Sequence, residues 1–288
     1  MSIKVILLDI DGTLTNSEKI ITPRTKEALM KAQAAGIRLA VVSARTENGL
    51  ARFGRWLDFE HHHGILIACN GALIKDMETG DVLVDKSMPA QLGSEILEHL
   101  KKFNVIPLVA DGEYMYTNDV FSGMLHLKNE DGSIREWNVI EYESRSNEYI
   151  LCEKKDLAEY FKNIPLPKIL VAGEPDYMHE IAEEMAGPFK ETTSNGFTAD
   201  FYYEFNPRGV DKAKAIETAY KKIGITPDEM MSFGDRENDI PMLKYCKYGI
   251  AMGNAVQAAK DAAFDITLDN NHDGIAESIY KYIPELKD

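Results

Sequence analysis

Cysteine is scarce in this chain. Three residues, Cys69, Cys152 and Cys246, lie far apart and are odd in number. They give no disulfide framework and no CxxC pair, a pattern that suits a reducing cytosol. Long apolar runs are also missing. The first one, in MSIKVILLDIDG, meets aspartates within a few residues, so it is expected to be neither a signal peptide nor a membrane span. Basic charge is in deficit: 32 Lys and Arg stand against 47 Asp and Glu, a formal net charge of −15. Nucleic-acid binders usually present a basic face, so this balance argues against that class. The sequence contains no low-complexity run and no internal repeat. What is present is a 288-residue chain with 44% hydrophobic content, enough for one large globular domain or two modest ones.

The apolar stretch Val5–Leu8 reads as a short buried strand, and it runs straight into Asp9 and Asp11. Thr22 and Pro23 predict a helix start, an N-cap followed by proline at the first helical position, with Gly36 closing that helix. Arg38–Val42 is a second strand ending at Ser43. Glu47–Leu57 is a helix, and Ile65–Cys69 a third strand ending at Asn70 and Gly71. Strand, helix, strand, helix, strand is the pattern of a doubly wound α/β sheet. Such sheets bind ligands beyond the carboxyl ends of their strands, which groups Asp9, Ser43 and Asn70 at one edge.

After Leu73 the organisation changes. Leu73–Val84 reads as a hairpin turning near Thr79 and Gly80. From about Pro89, short strands (105–110, 114–118, 168–173, Phe197–Phe205) mix with helices (Gln91–Phe103, Asp156–Asn163, Asp176–Ala186) as an α+β unit. The doubly wound pattern then returns: a helix over Lys212–Ile223, the strand MMSFGD (230–235), then Tyr248–Met252 and Asp265–Thr267. The expected architecture is a split core, 1–85 and 208–288, with residues 86–207 inserted as a cap. The cap tyrosines 114, 116, 202 and 203 are expected to pack rather than to form a sugar platform. His61, His62 and His63 are consecutive, so they cannot share one face, and a solvated loop is expected there instead of a metal site.

Two carboxylates one residue apart at a buried strand end repel each other, and burial raises the cost. A second acidic group, GDREND (234–239), also follows an apolar strand, so Asp235 should meet Asp9 and Asp11 at the same edge. Hard oxygen donors converging there suit Mg²⁺, which would offset the repulsion. An aspartate can attack phosphorus and become an aspartyl-phosphate. A second carboxyl two residues on can protonate the leaving oxygen and then activate water. Asp9 fits the first role and Asp11 the second, with the Asp11 main-chain carbonyl also available to the metal. Phosphoryl transfer further needs donors around the equatorial oxygens. Candidates are the Ser43 hydroxyl, the N–H groups of Ile10 and Ala44, Lys212 and Asn238.

DIDGTLT, VVSAR (41–45), VDK (210–212) and GDRENDIPML (234–243) resemble, in order, the four motifs of the haloacid dehalogenase superfamily. CNGA (69–72) and IAMGNA (250–255) look like its Cof-type phosphatases, which carry a type IIB α/β cap between the second and third motifs. The resemblance implies Asp9 as nucleophile, Asp11 as general acid and base, and Asp235 as a metal ligand. It implies phosphate binding by Ser43 and Lys212 with help from Asn238, and Asp239 in an outer shell orienting Lys212 or a metal-bound water. Asn70 and Arg45 would line the substrate pocket. Ala44 departs from the glycine common in these relatives but keeps its N–H. The implied activity is Mg²⁺-dependent hydrolysis of a small phosphorylated metabolite, a sugar phosphate by resemblance, with the cap choosing the leaving group. A phosphomutase using the same nucleophile, or a phosphometabolite-binding regulator without turnover, are the alternatives. A cytoplasmic monomer or homodimer is expected, with neither nucleic acid nor membrane as partner.

Overall fold

The computed structural model describes residues 3–129 and 131–287. They form two compact units. One takes the chain up to Asp85 and resumes at Val210; the other is Lys86–Gly209.

The first unit opens with β1 (Val5–Leu8), β2 (Arg38–Val42), β3 (Ile65–Ala68), β4 (Leu73–Asp76) and β5 (Val82–Asp85). The second unit supplies β6 (Ile106–Asp111), β7 (Tyr114–Thr117), β8 (Met124–Lys128), β9 (Ile134–Asn138), β10 (Ile150–Glu153), β11 (Ile169–Ala172), β12 (Thr193–Ala199) and β13 (Tyr202–Pro207). The chain then returns with β14 (Met230–Gly234), β15 (Tyr248–Ala251) and β16 (Asp265–Ile266). The core sheet has the order β16-β15-β14-β1-β2-β3-β4-β5. It is parallel from β16 to β3, and the β4–β5 hairpin adds an antiparallel edge.

Why these strands read as unbroken apolar runs is visible in their packing. Ile6 and Leu8 face one hydrophobic cluster, with Leu29, Phe53 and Ile275. Val5 and Leu7 face another, with Ile216, Tyr220 and Met242. Both faces of β1 are covered by helices, so alternation disappears. Helices Pro23–Ala34, Glu47–Trp56 and Gly274–Tyr282 lie on the first side, Lys212–Lys221 on the second. Thr22 caps the first of these through a bond from Thr25 N–H, as the sequence predicts. The doubly wound α/β reading of the core is borne out.

β1 pairs with β14 on one side and β2 on the other. From this centre the chain winds outward in both directions, so the carboxyl end of β1 is the switch point where open α/β sheets form crevices. Asp9 is the next residue.

The second unit has the sheet order β10-β7-β6-β11-β13-β12 and a separate β8–β9 hairpin. Val109, Val171, Tyr203 and Phe205 pack beneath helices Ala90–Leu100 and Pro175–Ala186. Leu108, Met115, Leu170 and Tyr202 pack against Leu125 and Leu127 of the hairpin and Val139 and Ile140 of the helix Val139–Ser146. One expectation fails here. Phe197–Phe205 is not one strand but parts of two, β12 and β13, with Ala199 paired to Tyr202 across a tight turn at Asp200 and Phe201. Asp200 is a turn-former, and the apolar alternation continues through it, which hides the reversal.

Candidate active site

Every strand of the parallel set that carries a predicted site residue ends at the same edge. Asp9 follows β1, Ser43 follows β2, and Asp235 follows β14. Asn70 sits in the turn after β3, where Cys69, Asn70 and Gly71 all have positive φ (49°, 55° and 106°). That turn is tied from behind: Cys69 N–H donates to the Arg45 carbonyl at 2.8 Å and Asn70 N–H to the Ser43 carbonyl at 2.9 Å. A Cβ on Gly71 would meet the Ala215 methyl at 2.5 Å, so only glycine lets the turn reach the helix that begins at Lys212.

Lys212 is the first residue of that helix, whose N-cap Asp211 accepts from Lys214 N–H. Its side chain is 0% exposed and its ammonium donates to Asp9 Oδ1 at 2.7 Å and to Asp239 Oδ1 at 2.5 Å. Burial pulls the lysine down, but the two carboxylates outweigh it and hold it above its ordinary value. The second oxygen of Asp239 accepts the N–H groups of Asp235 (2.9 Å) and Arg236 (3.0 Å), closing the loop on itself. Gly234 permits this, since a Cβ there would lie 2.5 Å from the Asp239 Cβ. Asp235 accepts from the Thr13 hydroxyl at 3.2 Å.

Asp9, Asp235 and Asp239 are all buried, and each brings a carboxylate oxygen within 4.8 Å of the others. Lys212 is the one buried cation among them, and the exposed Arg236 guanidinium lies 3.4 Å from Asp235 Oδ2. Burial first, and then Asp239, push the Asp235 carboxyl up to about 6. The same two causes raise Asp9, against the pull of Lys212. Asp239 accepts three hydrogen bonds, whereas Asp9 accepts through Oδ1 alone and Asp235 has only long contacts to Thr13 and Arg236, so these two keep the most donor capacity. Hard oxygen donors carrying surplus negative charge fit a small divalent cation.

The Asp11 side chain is not in this cluster. Arg45 grips it bidentately, Nε to Oδ2 at 2.7 Å and Nη2 to Oδ1 at 3.0 Å, and Lys19 adds a bond at 3.0 Å. Burial pulls the Asp11 carboxyl up, but the two cations overcome it and hold the group at about 2. Arg45, expected in the substrate pocket, is thus placed on Asp11. Ser43 is buried and its Oγ accepts from Arg45 N–H at 3.3 Å, leaving its own hydrogen to donate. Asn238 donates to Asn70 Oδ1 at 3.3 Å, bringing these two predicted residues together. The Ile10 N–H has no hydrogen-bond partner among the described residues, while its carbonyl accepts from Thr13 and Thr15. Ala44 lies between Ser43 and Arg45 and is half-buried.

Sequence reasoning missed the Thr13 hydroxyl on Asp235 and Lys19 on Asp11. Thr13 stood in the quoted DIDGTLT, so a signal existed; Lys19 carries none. His61 is exposed and His63 half-buried, and they lean on Asp58 and Glu78, away from this edge.

Comparison with known proteins places these features in a family. The haloacid dehalogenase-like hydrolases match residues 6–279. A haloacid dehalogenase-like hydrolase from Bacteroides thetaiotaomicron superposes with a TM-score of 0.88 at 28% identity, over 97% of this chain and 99% of that one. A HAD subclass IIB sugar phosphatase superposes with a TM-score of 0.74 at 23% identity, over 98% and 99%, a likeness of fold. The pyridoxal phosphate phosphatase YbhA of Escherichia coli (strain K12) is 27% identical over 98% of this chain and 100% of its own.

Proposed function

The chain belongs to the haloacid dehalogenase-like hydrolase family, and from that premise we propose that it is a Mg²⁺-dependent phosphatase acting on a small phosphorylated metabolite. The observation that carries this reading is the surplus of buried carboxylate at the switch point: Asp9, Asp235 and Asp239 with Lys212 as their one buried cation.

Asp9 and Asp235, with the Asp11 main-chain carbonyl, would hold the cation. When bound, it would neutralise their repulsion and draw charge from the phosphate oxygens. Lys212 fixes Asp9 through Oδ1, which leaves Oδ2 to attack phosphorus. The P–O bond to the leaving group breaks as the Asp9–phosphorus bond forms, and Asp11 gives its proton to the departing oxygen. Asp11, again a carboxylate, then takes a proton from water. That water attacks the acyl phosphate, freeing inorganic phosphate and restoring Asp9. Ser43 Oγ, the N–H groups of Ile10 and Ala44, and Asn238 surround the equatorial oxygens. Asp11 cannot carry a proton at neutral pH while Arg45 and Lys19 hold it. In this reading the incoming phosphate takes over the Arg45 guanidinium, and Asp11 gains the proton it must deliver.

The choice of leaving group belongs to the second unit, Lys86–Gly209. A sugar phosphate is the favoured class, in keeping with the resemblance stated above. The site chemistry fits cytoplasmic phosphometabolites, and no helix among the described residues is long and apolar enough to cross a membrane.

The test is phosphate release from a panel of phosphorylated sugars, nucleotides and cofactors, with Mg²⁺ and with chelator. Asp9→Asn is expected to abolish turnover, and Asp11→Asn to slow it by about 10²–10⁴-fold. Unchanged rates in both variants would overturn the assignment.

A further inference from the structure

The stretch IAMGNA (250–255) carries the chain out of β15 beside the acidic loop. Asn254 lies in the loop that leaves β15, and both ends of its amide are used on main chain. Nδ2 donates to the Gly12 carbonyl at 2.8 Å, and Oδ1 accepts from Asn270 N–H at 3.1 Å. Donor and acceptor partners differ in kind, so the amide has one orientation. Asn270 continues the relay, its Nδ2 donating to the Thr15 carbonyl at 2.8 Å. The two amides therefore pin the segment after Asp11 at two carbonyls.

The other side of the Asn254 loop is fastened to the acidic loop. Met252 N–H donates to the Gly234 carbonyl at 3.1 Å, and Val256 N–H to the Asp235 carbonyl at 3.0 Å. One residue, Ala255, thus separates the anchor on Asp235 from the anchor on Gly12. The spacing matters because Gly12 and Asp235 are already at the limit of approach. Gly12 has φ +83°, and a Cβ there would lie 2.5 Å from Asp235 Oδ2.

We propose that Asn254 is a positioning residue, oriented by Asn270, that sets the gap between the Asp11–Gly12 main chain and the Asp235 carboxylate and so tunes divalent-cation affinity. The inference rests on the cation site of the preceding section, whose ligands sit on both sides of that gap. Asn254 itself touches neither cation nor substrate. Partners of this kind typically govern metal affinity by 10–100-fold when they are removed.

The experiment measures Mg²⁺ binding by titration calorimetry on the full chain, beside the Mg²⁺ dependence of phosphate release. Asn254→Ala and Asn254→Asp are expected to weaken Mg²⁺ by about 10-fold or more, with kcat at saturating Mg²⁺ within about threefold of the parent. Asn270→Ala should give the same effect, smaller, and it carries the test if both Asn254 variants fail to fold. Asn271→Ala is the control. It removes the acceptor for Ser17 N–H, another bond between the same two segments, and should leave Mg²⁺ affinity unchanged. If Asn254→Ala binds Mg²⁺ as tightly as the parent while Asp235→Asn does not, the positioning role is overturned and the cation site stands. A fall in kcat with unchanged Mg²⁺ affinity also overturns it. If Asp235→Asn binds Mg²⁺ like the parent, or the parent binds none, the cation site and this inference fall together.

Discussion

Each unit of this protein sinks a lysine among carboxylates, and the two arrangements differ in their charge balance. In the second unit, Lys168 meets Glu204 at 2.6 Å with side chains 14% and 7% exposed. The Glu204 oxygen left over accepts from Asn206 at 3.2 Å. Glu204 has a cation of its own there. In the core, Lys212 is shared between Asp9 and Asp239, and Asp235 faces only the exposed Arg236, so buried negative charge is in excess. A balanced buried pair can serve packing and orientation alone. An excess costs stability in the chain by itself, and persists where another cation or a reacting group is to supply the balance. The comparison separates a structural ion pair from a candidate site without appeal to any likeness.

The sharpest way to break that distinction is to remove each lysine. Lys212→Met strips a fully buried cation from two carboxylates and is expected to cost about 3–5 kcal/mol, with phosphate release lost. Lys168→Met removes a cation that is itself 14% exposed, against 0% for Lys212, and should cost less. In the double variant Lys168→Met/Glu204→Leu, stability should return to within about 1 kcal/mol of the parent, because a balanced pair exchanges well for apolar side chains. No apolar replacement at Lys212 can restore function in this way. The two tryptophans separate the readouts, since Trp56 lies in the core and Trp137 in the second unit. Urea transitions of single-tryptophan variants then report each unit alone. Equal losses from both lysines, or recovery of turnover in an apolar Lys212 variant, would sink the distinction.

How much of this could be read from the sequence follows the same divide. The core was legible because its chemistry sits at strand ends, and a buried parallel strand is an apolar run with an abrupt polar stop. Val5–Leu8 before Asp9 and Met230–Gly234 before Asp235 are such signals. The second unit was less legible. Its hairpin β8–β9 offers two buried leucines, Leu125 and Leu127, as its whole inward face on one strand, too short a pattern to register. The β12–β13 reversal was masked by the aromatic residues on both sides of Asp200. Pairings between distant residues were the other blind spot. That Arg45 belongs to Asp11, and that Asp239 rather than Asp11 completes the buried trio, depends on side-chain directions no spacing reveals.

A smaller effect sharpens the comparison through pH. Asp235 ionises in the folded chain at about 6, above the ordinary aspartate value near 3.9 in the unfolded chain. A raised carboxyl means the folded state binds more protons, so stability falls as pH rises. Without divalent cation, the core should lose on the order of 2 kcal/mol between about pH 4 and pH 7, with Asp9 adding in the same direction. Saturating Mg²⁺ should flatten that slope, and Asp235→Asn should remove its own share and leave the share of Asp9. The second unit, followed by Trp137, should show no such dependence on Mg²⁺. A core whose melting temperature ignores both pH and Mg²⁺ would argue against surplus charge as the defining feature.

The smallest expected effect belongs to Arg45, and its sign is opposite. Asp11 is held at about 2 in the folded chain, so its pairing stabilises above the unfolded value near 3.9 and is lost as pH falls through the folded one. The Asp11 side chain is 41% exposed, so solvent screens much of the pair. Arg45→Gln should therefore lower stability by under about 1 kcal/mol at neutral pH, and the gap from the parent should close on acidification to about pH 2. Its effect on turnover should be larger than its effect on stability. If the incoming phosphate takes the guanidinium, losing it raises KM, and Asp11, still paired with Lys19, shifts the acid limb of the rate profile upward. A variant that is destabilised at every pH, with KM unchanged, would show Arg45 to be a tie between loops and would move the recognition of phosphate to Ser43, Lys212 and Asn238 alone.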